Sequence, residues 1–262
     1  MHSPESVKAL QERAARAQPA ERVEDVGGWW LRLAPECSWW VGTVLPHGGA
    51  GPDDVRRRVA EAEEFYAARG AAPHFQITPR VCPEGLDGVL GARGYRRHSS
   101  VSLRVAPTAR VAGRAPAPRV RLDERPTRAW FAVWQAVNGD SPAEWDMLGR
   151  VDLPSAYASA LAGGGVVAVG RAVAEAGWAG VFSMATLPRA RGKGAARSVL
   201  AALADWAAEN GADRMYLQVE HRNVPALRLY GRAGFTGIST YHYRSVDGRF
   251  GRSERDRGGR GS

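Results

Sequence analysis

The 262 residues hold only two cysteines, Cys37 and Cys82. One pair excludes a disulfide scaffold and a cysteine zinc cluster, and it fits thiols kept reduced in a cytoplasm. The chain has no run of 18 apolar residues and its first residues lack the apolar segment of a signal peptide. A soluble, cytoplasmic protein with no membrane partner is therefore expected. Lysine is nearly missing too: Lys8 and Lys193 are the only ones, so the formal charge of +9 rests on arginine in both halves. No recognition helix, zinc-finger spacing or aromatic-basic repeat accompanies that charge, and no specific nucleic-acid partner is expected. Five arginines fall in the Gly-rich tail, residues 248–262, which reads as disordered. The remaining basic surface suits the approach of anionic ligands. No clustered His, Cys and carboxylate pattern is visible, so no metal is expected.

What is present is periodicity. Residues 1–22 read as a short helical leader with Val7, Leu10 and Ala14 on one side. Residues 23–106 read as a first domain. It holds strands at 29–33 and 38–45, then a helix at 53–69 with Asp53 as its cap. Val55, Val59, Ala62, Phe65 and Tyr66 form that helix's apolar face, and Gly70 ends it. A strand at 74–78, a small helix at 86–90 and a strand at 99–105 follow. Residues 107–118 lose periodicity among Pro107, Gly113, Pro116 and Pro118, and read as a linker. The second domain, 119–247, opens with a strand at 120–122 and a helix near 126–137 bearing Trp130, Phe131 and Trp134. A β-hairpin (166–173 with 181–186), an Ala-rich helix at 194–210, a strand at 215–219, a helix at 225–233 and a final strand pair or one long strand at 235–244 complete it.

The two domains echo each other at an offset near 140 residues. Thr43-Val44-Leu45-Pro46, the helix ending at Gly70, Phe75-Gln76-Ile77 and Gly94-Tyr95 answer to Ala185-Thr186-Leu187-Pro188, the helix ending at Gly211, Tyr216-Leu217-Gln218 and Gly234-Phe235. This reads as a diverged tandem repeat. Between strand and helix the second copy has Arg191-Gly192-Lys193-Gly194-Ala195-Ala196. A Gly-rich turn feeding a helix N-terminus gathers unpaired N–H groups and the positive end of the helix dipole, which suits phosphate. A Walker motif would need Ser or Thr after Gly-Lys, and Gly194 stands there. The first copy has Gly48-Gly49-Ala50-Gly51-Pro52, without a basic residue.

The second domain, over about 119–246, resembles the GCN5-related N-acetyltransferase (GNAT) superfamily, tandem actinobacterial type. Its Arg191–Ala196 run matches that family's Arg/Gln-x-x-Gly-x-Gly/Ala motif, with Pro188 three residues ahead. Asn223, Ala226, Leu229-Tyr230 and Gly234-Phe235 match a second block. The resemblance implies an α+β fold of two GNAT-like lobes, each a mixed, mostly antiparallel sheet flanked by helices, the N-terminal one degenerate. It implies acetyl-CoA as co-substrate. Amides around Arg191, Gly192, Lys193, Gly194, Ala195 and Ala196 would hold the pyrophosphate. Backbone groups of Met184, Ala185 and Thr186 would pair with the pantetheine arm, as an exposed strand edge pairs with a peptide. Asn223 would contact that arm, with Ala226 and Leu229 beside it.

The implied reaction is attack of a neutral amine on a thioester. It requires removal of the amine's proton, stabilisation of the oxyanion and protonation of the departing thiolate. Tyr230 holds the family's usual general-acid position; the alternative is a ring packed under the co-substrate. Glu220 leads as general base, with His221, Glu175, a Ser183-oriented water or a water relay to bulk as alternatives. The sequence Gly27-Gly28-Trp29-Trp30-Leu31-Arg32, with Trp39-Trp40, resembles the N-terminal portion of tandem acetyltransferases, and those tryptophans serve either packing or an acceptor wall. The expected acceptor is a small-molecule primary amine, served by direct ternary-complex transfer. The expected assembly is a monomer, as a pseudo-dimer of lobes, or a homodimer. Protein or peptide acetylation and a non-catalytic acyl-CoA-binding role are the competing readings.

Overall fold

A computed structural model describes residues 3–49, 51–113, 118–139 and 141–246. The expected disordered tail at 248–262 lies outside the described residues. The chain opens with helix α1 (Pro4–Ala17), whose Ser3 hydroxyl accepts from the Ser6 amide. Strands β1 (Arg22–Val26), β2 (Trp29–Leu33) and β3 (Val44–Pro46) lead to α2 (Pro52–Ala67). Then come β4 (Phe75–Ile77), α3 (Leu86–Ala92), the long β5 (Arg96–Pro107) and a one-turn α4 (Thr108–Val111). The second half runs β6 (Arg119–Asp123), α5 (Arg128–Asn138), α6 (Pro142–Gly149), β7 (Ser155–Ala162), β8 (Gly165–Glu175) and β9 (Trp178–Thr186). It closes with α7 (Ala195–Glu209), β10 (Arg214–Glu220), α8 (Val224–Arg232) and β11 (Thr236–Ser245).

Fold class is as expected: α+β, with a mixed and mostly antiparallel sheet flanked by helices. The expected two sheets, however, are one. Eleven strands run β1-β2-β3-β4-β11-β5-β10-β9-β8-β7-β6. The last strand of each half is inserted into the other: β5 pairs with β10 and β11, and β11 pairs with β4 and β5. The order β3-β4-β11-β5-β10-β9 is unchanged when each strand is replaced by its repeat counterpart and read backwards. A pseudo-two-fold between β5 and β11 thus relates β3-α2-β4-α3-β5 to β9-α7-β10-α8-β11. Among the described residues the only parallel pairs, β3 with β4 and β9 with β10, sit at equivalent places.

Side-chain alternation assigns the layers. Met215, Leu217 and Val219 of β10 pack with Val199, Leu200 and Leu203 of α7 and with Tyr230 of α8. Tyr216 faces the other way, onto Val7, Leu10 and Ala14 of α1. Phe75 and Ile77 of β4 pack with Val55, Val59 and Ala62 of α2. Trp130, Phe131 and Trp134 of α5 cover Tyr157 and Val169 on the α1 side. Helices α1 and α5 therefore line one face of the sheet, and α2, α3, α7 and α8 the other.

Two buried arginines meet the end of α1. Arg32 of β2 donates to the carbonyls of Ala15 (3.3 Å) and Gln18 (2.7 Å). Arg171 of β8 donates to the Ala17 carbonyl at 2.8 Å. The Ala15 carbonyl also accepts from the Gln18 amide at 3.3 Å, and cations complement the negative helix end. No described helix is long and apolar enough to cross a membrane.

Candidate active site

The site is built from a fork in the sheet. β9 and β10 run parallel in register only from Trp178–Val181 against Arg214–Leu217. Beyond that β9 stays bonded to β8 as far as Thr186, while β10 stays bonded to β5 as far as Glu220. The facing edges past Val181 and Leu217 therefore have no ladder partner in each other. A bulge turns β9 outward there: Val169 pairs with Ala185 and Arg171 with Phe182, so Ser183 and Met184 together oppose Gly170. Ser183 takes φ +53°, a left-handed conformation uncommon for a non-glycine residue. Only glycine fits opposite. A Cβ on Gly170 would lie 2.3 Å from Met184 Sδ and 2.9 Å from Val199 Cγ1.

Past Thr186 a one-turn 3-10 segment, Pro188–Ala190, delivers the chain to the basic turn. Arg191 folds back so that its Nε donates to the Thr186 carbonyl at 3.3 Å. Gly192 and Gly194 take φ +74° and +83°, and Gly194 caps α7 without a side chain. Space around Gly192 is open. Arg191, Gly192, Lys193 and Gly194 are exposed, Ala196 is half-buried and Ala195 is buried against the core. The first-turn amides of this 15-residue helix lack intrahelical acceptors and carry the positive dipole end.

On the other prong, β10 hands over to α8 through a tight turn in which the Asn223 amide donates to the Glu220 carbonyl at 2.9 Å. Asn223 is exposed and its Oδ1 accepts from the Ala226 amide at 3.2 Å, so it caps α8. Ala226 and Leu229 are half-buried against the α7-side core. One turn on, Tyr230 is buried, edge-on to Phe235 at 5.9 Å. Burial alone pushes its phenol up to about 12, and among the described residues its hydroxyl has no hydrogen-bond partner. Such a phenol stays protonated at neutral pH.

The expected bases fare differently. Glu220 ends β10 and is half-exposed, with both carboxylate oxygens engaged by Arg222, one of them at 3.2 Å. His221 is exposed, its amide donating to the Ser100 carbonyl at 2.9 Å. Glu175 stands at the opposite end of the β8–β9 hairpin, paired with Arg16 at 2.8 Å, and is not brought to the fork. Ser183, Met184, Thr186 and the basic turn stand on or after the β9 prong, and Glu220, Asn223 and Tyr230 on or after the β10 prong. His98 of β5, which feels the Glu220 charge, was not among the expected residues. Its Nδ1 and Nε2 lie 3.3 and 3.2 Å from the Ser99 and Ser245 hydroxyls, and burial holds its pKa below the usual histidine range.

The α1 face holds a second unexpected set: Arg32, Gln76, Gln218 and Trp40 line a hollow beneath α1. The sequence signal was a lone arginine in the apolar Trp29–Leu33 strand. Trp39 packs on His74, His98 and Tyr243, with ring centres 4.7 to 5.7 Å apart. Trp40 is 40 % exposed.

These features fit acetyl-CoA. An unpaired strand edge matches the amides of a pantetheine arm, and open positive-φ glycines at a helix N-terminus beside exposed cations match a pyrophosphate. Comparison with known proteins agrees. A family model described as "Probable histone acetyltransferase Rv0428c C-terminal" matches residues 5–245. The chain is 27 % identical over 252 residues to "Uncharacterized N-acetyltransferase YobR" of Bacillus subtilis (strain 168), covering 92 % of this chain and 98 % of that protein. A GCN5-related N-acetyltransferase from Kribbella flavida superposes with a TM-score of 0.70 at 18 % identity, over 92 % of this chain and 94 % of that one. A tandem GNAT protein from the clavulanic acid biosynthesis pathway superposes with a TM-score of 0.60 at 12 % identity, over 93 % and 88 %. The chain has a GNAT-superfamily fold and is an N-acetyltransferase with acetyl-CoA as acyl donor. It belongs to the family described as the probable histone acetyltransferase Rv0428c C-terminal region.

Proposed function

We propose that the chain transfers an acetyl group from acetyl-CoA directly to the primary amine of a small molecule in a ternary complex at the β9–β10 fork. The observation that carries this reading is the fork itself, with a bulged strand edge on one prong, a protonated phenol on the other and the basic turn at its mouth. Amides of Gly192 to Ala196, with Arg191 and Lys193, hold the pyrophosphate. The Met184–Thr186 backbone holds the pantetheine arm, and Ala226 and Leu229 border it. Asn223 acts through its cap, fixing where α8 begins. As the amine nitrogen bonds to the thioester carbonyl carbon and the C–S bond breaks, Tyr230 gives its proton to the sulfur. Glu220, directly or through a water, takes the proton the nitrogen loses. Neither cysteine offers a covalent route, since burial pushes both thiols up to about 12.

Two halves underlie the single sheet in this reading, 23–106 and 119–247 joined by 107–118, with the first half degenerate. The pseudo-two-fold strand order supports it. So does the first half's counterpart of the basic turn, which carries no Lys or Arg and is closed at its first residue, while the space around Gly49 and Gly51 is open. A Cβ on Gly48 would lie 2.7 Å from the Gly27 carbonyl, and Arg58 also bonds that carbonyl. The internal pair of halves favours a monomer. Protein acetylation is the second reading, favoured by the family description.

Initial rates with both substrates varied, alongside calorimetric titration of acetyl-CoA, test the proposal. Intersecting double-reciprocal lines and binding weakened about tenfold by Gly194→Ala are expected, because alanine at φ +83° costs about 1–2 kcal/mol. Parallel lines, or binding indifferent to Gly194→Ala, would overturn it.

A further inference from the structure

Arg32 is a buried cation without an anion. It is 4 % exposed, and no Asp or Glu pairs with it among the described residues. Both of its hydrogen bonds come from Nη2 and go to α1 carbonyls. A helix C-terminus offers only about half a negative charge, spread over several carbonyls. Burial accordingly holds the guanidinium down to about 10, far below its ordinary value. Proteins rarely bury such a group unless an anion meets it.

The surroundings repeat the imbalance. Gln76 is 5 % exposed, and its Nε2 has no partner while its Oε1 accepts from the Tyr243 hydroxyl at 3.3 Å. Gln18 and Gln218 also line the hollow, as does Gln11, whose amide is taken up by the Thr78 hydroxyl; Trp40 forms its exposed wall, and no Asp or Glu is among its described lining residues. The hollow is about 260 Å³ counting space continuous with solvent, of which about 20 Å³ admits a water-sized group. That suits one compact oxyanion and not a sugar ring. Its place matters as much as its chemistry. Gln218 directly follows Leu217, the last β10 residue in register with β9, so the hollow adjoins the fork on the α1 face.

We propose that Arg32, with Gln76 beside it, binds a carboxylate of the acceptor, so that the amine acetylated is an amino acid or another amine carrying a carboxylate. A guanidinium meets a planar carboxylate with two parallel bonds, which would orient the amine toward the fork. The proposal rests on the fork being the transfer site. Arg171 is not a rival: it is also fully buried, but it lies over the Phe182 ring at 5.0 Å, feels Glu144 and is absent from the hollow.

The test compares the common amino acids with their amides as acceptors for the full chain, reading thiol release from acetyl-CoA. Glucosamine 6-phosphate and aminoethylphosphonate serve as phosphorus-bearing amines. At least tenfold lower KM for acids than for their amides is expected, collapsing toward parity in Arg32→Gln and falling several-fold in Gln76→Met. The second variant leaves the α1 carbonyls capped by Arg32, so it answers even where Arg32→Gln does not fold. Equal KM for acids and amides in the wild type would overturn the carboxylate site and leave the enzyme reading intact. Preference for the phosphorus-bearing amines would overturn the carboxylate assignment. If no amine is turned over, the enzyme reading fails separately, and calorimetry with N-acetyl amino acids and their amides decides. Binding of the acids alone, weakened in Gln76→Met, supports the site, and binding of neither or of both equally overturns it.

Discussion

Gly170→Ala tests whether strand, helix and donor site are packed as one unit. The added methyl would stand 2.3 Å from Met184 Sδ, 2.9 Å from Val199 Cγ1 and 3.4 Å from Leu203 Cδ1. The methionine end can swing away. Val199 cannot do so easily, being fully buried, β-branched and fixed on α7. Either α7 or the bulge must therefore move by several tenths of an ångström. Overpacking of this kind costs about 1–3 kcal/mol. Alanine recovers about 0.4–1 kcal/mol by restricting the unfolded chain. A net loss of about 1–2 kcal/mol lowers the melting temperature by roughly 2–8 °C in a chain of this size. Because Met184 is displaced from the bulge, acetyl-CoA binding should weaken as well. Gly88→Ala in the middle of α3 is the control, since nothing lies within 4 Å of its added methyl and it should hold or raise the melting temperature. Thermal melts with and without acetyl-CoA read both effects. Gly170→Ala melting with or above the wild type, with unchanged acetyl-CoA protection, would refute the packing argument.

Asn223→Ala removes the α8 cap and should cost about 1 kcal/mol by thermal or urea unfolding. It should also lower turnover, because Tyr230 rides on the same helix. Asp87 of α3 is held down to about 2, chiefly by Arg244 of β11 and then by His242. Its folded pKa lies below the unfolded value of about 3.9, so its contribution is fully present above about pH 4 and is lost as pH falls through about 2. Asp87→Asn should therefore melt below the wild type at pH 7, and the gap should close on acidification. Half-exposure of Asp87 keeps that gap small. Both thiols lie near 12, so iodoacetamide at pH 8 should label the folded protein at least tenfold more slowly than the urea-unfolded chain.

Elements with strong periodicity were legible in the sequence. Helices α2 and α7 fall within two residues of their expected ranges, although α2 begins at Pro52 with Gly51 as its cap, not at Asp53. The strand expected at 38–45 shortens to Val44–Pro46, because Trp39 and Trp40 meet edge-on at 5.9 Å in a turn instead of alternating across a pleat. β7 was missed since Ser-Ala-Tyr-Ala-Ser-Ala-Leu-Ala has little strand propensity. Its small side chains fit beneath α7, where Ala158 and Ala160 are fully buried. Strand exchange between the halves left no trace, because alternation fixes which face is buried and not which strand lies alongside. Among the site residues, the basic turn and the Asn223–Tyr230 block were legible through spacing. Arg32, Gln76 and Gln218 come from three strands far apart in the chain, and only folding brings them to one hollow.

The most direct test of transfer at the fork is thiol release from acetyl-CoA across amino acids, polyamines, amino sugars and peptides, run beside Tyr230→Phe. Acceptor-dependent release with at least one small amine is predicted, reduced about a hundredfold or more in the variant with acetyl-CoA affinity retained, as befits loss of a general acid. Release unchanged in Tyr230→Phe, or confined to peptides, would contradict the account.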